Sequence, residues 1–272
     1  MFSLRKIIVS LFFIFLFFNL AGGNPYLRYR GAGEAGMGSV CISRPGFWNS
    51  FSNQALLAGN TSLSAGVNYE NRFCLAELGT RSAGVVIPAG KASAGIVYSH
   101  FGYNHFRRSM TGVACGMALG ENISAGVQVD YFLERTSGEY DNHQAVTFEA
   151  GMAFKPAENI FIGLHLFNPL PNSLRNKKMP STIRAGAGIE LTGALFAGAE
   201  AELSSGEKLV IRTGFEYEAF RKLWLRGGFC SENTSFTFGL GYLLKSLKID
   251  LSFATHERLG ITSSASIIFK IK

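Results

Sequence analysis

The sequence is short of the residues from which metal centres and cross-linked cores are made. Its four cysteines, Cys41, Cys74, Cys115 and Cys230, are far apart, none at C-x-x-C spacing. That argues against a zinc-type site. Four thiols allow three full pairings, and the spacing chooses none of them; free thiols are the expectation, because Cys115 falls in a row read below as facing lipid. Lys and Arg are scattered, with no basic run beyond residues 175–178, whereas a nucleic-acid binder gathers them on one face. After the first twenty residues no apolar run approaches the ~18 residues of a spanning helix. Neither G-x-S-x-G nor H-E-x-x-H occurs. Asp130, Glu149 and His165 lie on neighbouring segments, but nothing in their spacing singles them out. No enzyme, cofactor, metal or nucleic-acid partner is expected.

What is present is apolar and periodic. Apolar residues make up 47% of the 272-residue chain, with 32 Gly and 24 Phe against 17% charge, which is too apolar for disorder. Residues 1–23 read as a secretory signal: Arg5 and Lys6, an apolar core over residues 7–20, then small Ala21 and Gly23. Residues 24–60 do not alternate. They are rich in glycine, which permits close backbone approach, and carry Phe47, Trp48 and Phe51. Pro45 is expected to open a short helix ending at Ala58, with Gly59 as its stop. This segment is read as lying inside or under a sheet.

From residue 62 onward the period is two. The clearest stretch is 123–134, where Ile123, Ala125, Val127, Val129, Tyr131 and Leu133 alternate with Ser124, Gly126, Gln128, Asp130, Phe132 and Glu134. Successive strand side chains point to opposite faces, so one face is oily and the other is not. The length exceeds the ~5–6 residues of a soluble strand and suits the ~9–11 of a tilted membrane strand. About fourteen such segments follow one another, joined alternately by tight connections (88–91, 120–122, 156–159, 192–194, 219–222, 245–248) and by a set tending to be longer (70–77, 99–109, 135–144, 168–182, 255–260), the pattern of short periplasmic turns and longer outer loops. A soluble sandwich would bury the apolar rows and use shorter strands.

The sequence thus predicts an all-β fold: a closed antiparallel transmembrane barrel of about fourteen strands over residues 61–272, with residues 24–60 as an N-terminal plug, placed as a multi-pass protein in the lipid of a bacterial outer membrane. The lumen row carries Arg184, Glu190, Glu200, Glu202, Arg212, Glu216, Arg226 and His165. Opposite charges on adjacent strands can pair across the ladder, either as a track for a solute or as a network stabilising the wall.

The segment Gly31-Ala32-Gly33-Glu34-Ala35-Gly36-Met37-Gly38-Ser39-Val40 resembles the start of FadL-type outer-membrane proteins, and most of all their PorV/PorQ branch. In that family an Asn-Pro-Ala segment follows; here Asn53 and Ala55 match, and Gln54 stands in place of proline. The last strand, from Gly260 to Lys270, is similar to the closing strands that the barrel-assembly machinery reads. The resemblance implies a hatch that includes Gly36, Met37, Gly38, Phe47, Trp48 and Asn53. It implies passive uptake of a small hydrophobic solute or, alternatively, a non-conducting barrel that docks proteins of type IX secretion.

Overall fold

The computed structural model describes residue 26 and residues 30–271, apart from 138–141, 171–172, 175–176 and 233. The expected signal, residues 1–23, lies outside the described residues.

The strands are β1 (Ser64–Asn71), β2 (Gly79–Ala89), β3 (Ala92–Tyr103), β4 (Phe106–Ala118), β5 (Ile123–Thr136), β6 (His143–Ala157), β7 (Ile160–Phe167), the short β8 (Ser173–Leu174) and β9 (Lys177–Lys178), then β10 (Thr182–Thr192), β11 (Leu195–Ser204), β12 (Val210–Phe220), β13 (Leu223–Cys230), β14 (Ser235–Leu244), β15 (Leu247–His256) and β16 (Gly260–Lys270). All but β8 and β9 form one closed, antiparallel, fourteen-stranded barrel in chain order, and β8 pairs only with β9. Closure comes from β1 against β16, with Ser64 opposite Lys270 and Asn71 opposite Ser263. No sheet edge is left to hydrocarbon, as a spanning sheet requires.

The two-residue period sets the polarity of the wall, and it is inverted relative to a soluble protein. On β5, Val127 is 60% exposed while Asp130, three residues on, is 0% exposed. Val113, Phe148, Leu164, Phe215, Phe238 and Leu251 likewise face outward, each over 40% exposed. Such an outward apolar row is stable only against acyl chains. Cys115 is exposed in that row, and all four cysteines are unpaired.

Three details differ from the sequence reading. The connection placed at 99–109 is a tight turn, because pairing runs on to Tyr103 opposite Phe106; that ladder outlasts the apolar alternation. The 168–182 connection contains the small hairpin β8–β9, whose two-residue strands are too short to show a period. The helix expected from Pro45 to Ala58 is instead two 3-10 stretches, Phe47–Phe51 and Gln54–Gly59, the second of which includes Gly59. The break falls at Asn53, whose extended backbone and side-chain carbonyl cap the second stretch through the Ala55 N–H.

Residues 31–60 occupy the bore. A short helix, α1 (Ala32–Gly36), lies beside β14 and β15, and the stretch Gln54–Gly59 lies against β3–β6. The wall admits this segment because its inward positions there are glycines. A Cβ built on Gly163 would run into the Ile42 carbonyl, and one on Gly214 into the Met37 carbonyl. Gly38 has φ +65°, a conformation only glycine adopts freely, and lies against the backbone of β12 and β13.

The lumen as candidate functional site

The lumen has two chemically different sides. On β10–β15 it is charged. Antiparallel register sets Arg184 opposite Glu202, Glu200 opposite Arg212, and Glu216 opposite Arg226, so opposite charges meet without long reaches. Arg184 Nη2 lies 2.6 Å from Glu200 Oε2, and Arg212 Nη1 lies 2.9 Å from Glu202 Oε2. Arg226 joins two strands at once, with Nε 2.7 Å from Glu216 Oε2 and Nη1 2.8 Å from Asp250 Oδ1. All seven of these side chains are buried. Glu190 stands apart near the tight turns, part-exposed, with Arg44 Nε 3.8 Å away.

This charged side holds the N-terminal segment. Glu200 Oε1 accepts from the backbone N–H groups of Cys41 and Ile42. Arg184 also donates to Cys41 Sγ at 3.2 Å. Arg44 Nη1 reaches Glu216 Oε1 at 2.8 Å. Thr237 Oγ1 accepts from Gly38 N and donates to the Gly36 carbonyl. Burial pushes the Cys41 thiol above its ordinary pKa, so it is a hydrogen-bond partner here rather than a thiolate. Burial, with Asp250 nearby, raises the Glu34 carboxyl as well.

A second polar node lies on β5–β7. Glu149 Oε2 accepts from Gln54 Nε2 at 2.6 Å and meets His165 Nε2 at 2.8 Å, while Gln128 donates to Asp130 at 2.7 Å. The sequence reading put His165 in the lumen and set Asp130 and Glu149 aside. It had no signal for Gln54, which uses the position of the family's proline to reach a buried carboxylate. Asn53 Nδ2 bonds the carbonyls of Ile42 and Met152. Among the described residues no group of three or more His, Cys, Asp or Glu is placed to hold a metal ion.

The same side of the bore, β2–β7, also carries an apolar cluster. Val86, Val97, Met110, Phe132, Ala145 and Phe167 point inward and pack with Phe47, Trp48, Phe51 and Leu57 of the N-terminal segment. From the outer end, Leu174 and Met179 of the β7–β10 connection join the same cluster, 2% and 3% exposed. That connection fills a notch in the rim: β7 ends with Phe167 opposite Glu149, while β6 runs on outward to His143. Asn168, at φ +48°, turns the chain off β7. It is fixed there by its N–H to the Phe148 carbonyl, by Thr147 Oγ1, and by its own Nδ2 to the Met179 carbonyl.

Among the described residues, the N-terminal segment leaves small cavities at both ends of the bore. A cavity of about 140 Å³ at the loop end is lined by Arg30, Glu70, Arg72, Glu232 and His256. One of about 120 Å³ at the turn end is lined by Glu34, Arg44, Phe47, Phe196, Glu216 and Lys248. Both are smaller than the ~300 Å³ at which ordinary ligand pockets begin.

No family model matches the sequence, and no curated protein matches it. The fold does have solved counterparts. The toluene transporter TodX of P. putida superposes with a TM-score of 0.72 at 11% identity, over 90% of this chain and 99% of that one. The Ralstonia pickettii toluene transporter TbuX gives 0.68 at 13% identity, over 90% and 98%. A Pseudomonas aeruginosa FadL homologue gives 0.65 at 11% identity, over 88% and 96%. At these identities the likeness is one of fold: this chain folds as the FadL-type barrels do.

Proposed function

We propose that this protein is an outer-membrane barrel of FadL type that takes up a small hydrophobic solute passively, with residues 31–60 as its hatch. The observation that carries this reading is the apolar cluster on the inner face of β2–β7, beside the Glu149–His165 node. It runs from Leu174 and Met179 at the outer end to Phe47, Trp48 and Phe51, and it is covered at both ends by connecting segments rather than by strands. An apolar solute gains by leaving water for such a surface. The β7 notch lies at its outer end, where Leu174 and Met179 of the β7–β10 connection cover it. The charged side, β10–β15, acts as the anchor against which the hatch is held while the apolar side loosens. The toluene transporters that share this fold make a monoaromatic hydrocarbon the first solute to try.

The filled bore supports a second reading, a non-conducting barrel that docks secretion proteins in the manner of the PorV/PorQ branch. A reversible lock separates the two. A Cβ built on Gly95 lies 3.3 Å from Ser50 Cβ, close to the ~3.5–4.5 Å of a disulfide. In Ser50→Cys/Gly95→Cys barrels reconstituted in liposomes, toluene uptake is expected to stop on oxidation and return on reduction. Uptake absent from the unmodified protein sinks transport and leaves docking, while uptake unchanged by the lock keeps transport and sinks the hatch as its gate.

A further inference from the structure

On the lipid side of the wall, the outer ends of β2–β5 carry a group of cations that the lumen does not use. Arg81, on the same outward row as exposed Tyr69, is directly opposite His100 of β3. Arg107 of β4 is directly opposite Arg135 of β5. The three arginines are exposed and His100 is half-buried. Like charges placed directly opposite across a ladder repel, and Arg107 and Arg135 are such a pair. Among the described residues none of the three arginines has an ion-pair or hydrogen-bond partner. The nearby Glu134 points inward, where Arg108 takes it at 2.7 Å. His100 Nδ1 meets Ser109 Oγ at 3.1 Å, which fixes its ring against the wall.

His100, Arg107 and Arg135 share a groove of about 300 Å³ with Tyr98, Tyr131 and Leu133 and with the hydroxyl residues Ser109 and Thr111. Tyr98, Thr111 and Tyr131 stand in register across β3, β4 and β5. The surface thus sets a cationic group beside the rings of Tyr98 and Tyr131 and the Leu133 side chain. Basic side chains clustered at a membrane surface attract anionic lipid headgroups, and guanidinium groups match phosphate oxygens in bidentate geometry.

We propose that the outer ends of β2–β5 form a binding site for a phosphorylated glycolipid of the outer leaflet, its phosphate held by Arg107 and Arg135 with Arg81 and His100 flanking, and an acyl chain lying in the groove. The proposal rests on the outer-membrane reading, in which the tight turns are periplasmic and this rim faces outward. It commits to a lipid because an anion alone would have no use for the groove. The bound phosphate relieves the repulsion between Arg107 and Arg135.

The test is native mass spectrometry of the detergent-purified full chain with bisphosphorylated lipid A. Wild type is expected to retain a bound lipid A, and Arg107→Gln/Arg135→Gln to retain it about tenfold less or weaker still. Lipid A stripped of its phosphates is expected to be retained no better by wild type than by the double variant, and millimolar inorganic phosphate is expected not to displace lipid A. Equal retention by the double variant, or equal retention of the dephosphorylated lipid, overturns the proposal. Full displacement by inorganic phosphate overturns the lipid and leaves an anion site. Arg81→Gln/His100→Gln supplies a second variant should the first fail to show the heat-modifiable gel migration of a folded barrel. Toluene uptake measured on the same proteins is expected to be unaffected by these substitutions, so a silent wild type would count against transport and not against lipid binding.

Discussion

At the scale of single residues, the charged side of the bore is a set of mutual obligations. Arg184 is buried and serves Glu200, Glu202 and the Cys41 thiol together. Replacing it by a residue of similar volume without charge takes the ion-pair partner from buried Glu200 and leaves Glu202 to Arg212. Breaking such a pair typically costs ~3–5 kcal/mol. Arg184→Met is therefore expected to lower the urea midpoint of the lipid-reconstituted barrel, with a larger loss than in Arg44→Met, whose own side chain is part-exposed and whose partner Glu216 keeps Arg226. Much of this was readable in advance: the two-residue period put Arg184, Glu200, Glu202, Arg212, Glu216 and Arg226 on one face, and antiparallel folding brought them into register. What could not be read was what they hold. Glu200 spends one oxygen on backbone N–H groups about 160 residues away in sequence, and no local pattern encodes a contact between a strand and an irregular segment. Gln54 is the same case: its sequence position showed a departure from a family pattern, but not the carboxylate waiting for it on β6.

At the scale of elements, the β7–β10 connection is the piece whose removal would be felt in transport before stability. Leu174 and Met179 are its two buried contacts with the apolar side. Leu174→Ser/Met179→Ser withdraws apolar burial that, for a single large-to-small change in a core, costs ~2–5 kcal/mol, but in a segment anchored separately at Asn168. The expected outcome is faster toluene uptake by the double variant, with most of the barrel's stability kept; slower uptake would mean that these side chains guide the solute rather than cover it. Most of the fourteen barrel strands were legible because they are long enough to show their alternation; β2 alternates poorly and was placed by its neighbours. The hairpin β8–β9 was not, because two residues carry no period, and the 3-10 stretches of the N-terminal segment were misread as one helix because Asn53 breaks them with an extended backbone that its composition does not announce.

At the scale of the whole molecule, the outward apolar surface decides the solvent. Val129 lies near the middle of β5 with 46% of its surface exposed, a position that meets acyl chains and nothing else. Val129→Arg is expected to cost ~2–4 kcal/mol in folding from urea into lipid vesicles, the depth-dependent price of a cation on the lipid face near the midplane. A cost near zero would mean that this face does not see hydrocarbon.

The seam between β1 and β16 has a consequence for how the protein is made. The first strand has no permanent neighbour on one flank until the final residues of the chain arrive, because only Ser263–Lys270 can supply it. Synthesis from the N-terminus therefore produces, until its last moments, a string of oily ribbons with nothing to shut them into a ring. Each nascent copy must be kept soluble and open until it is complete, and a copy truncated even one strand early has no way to finish.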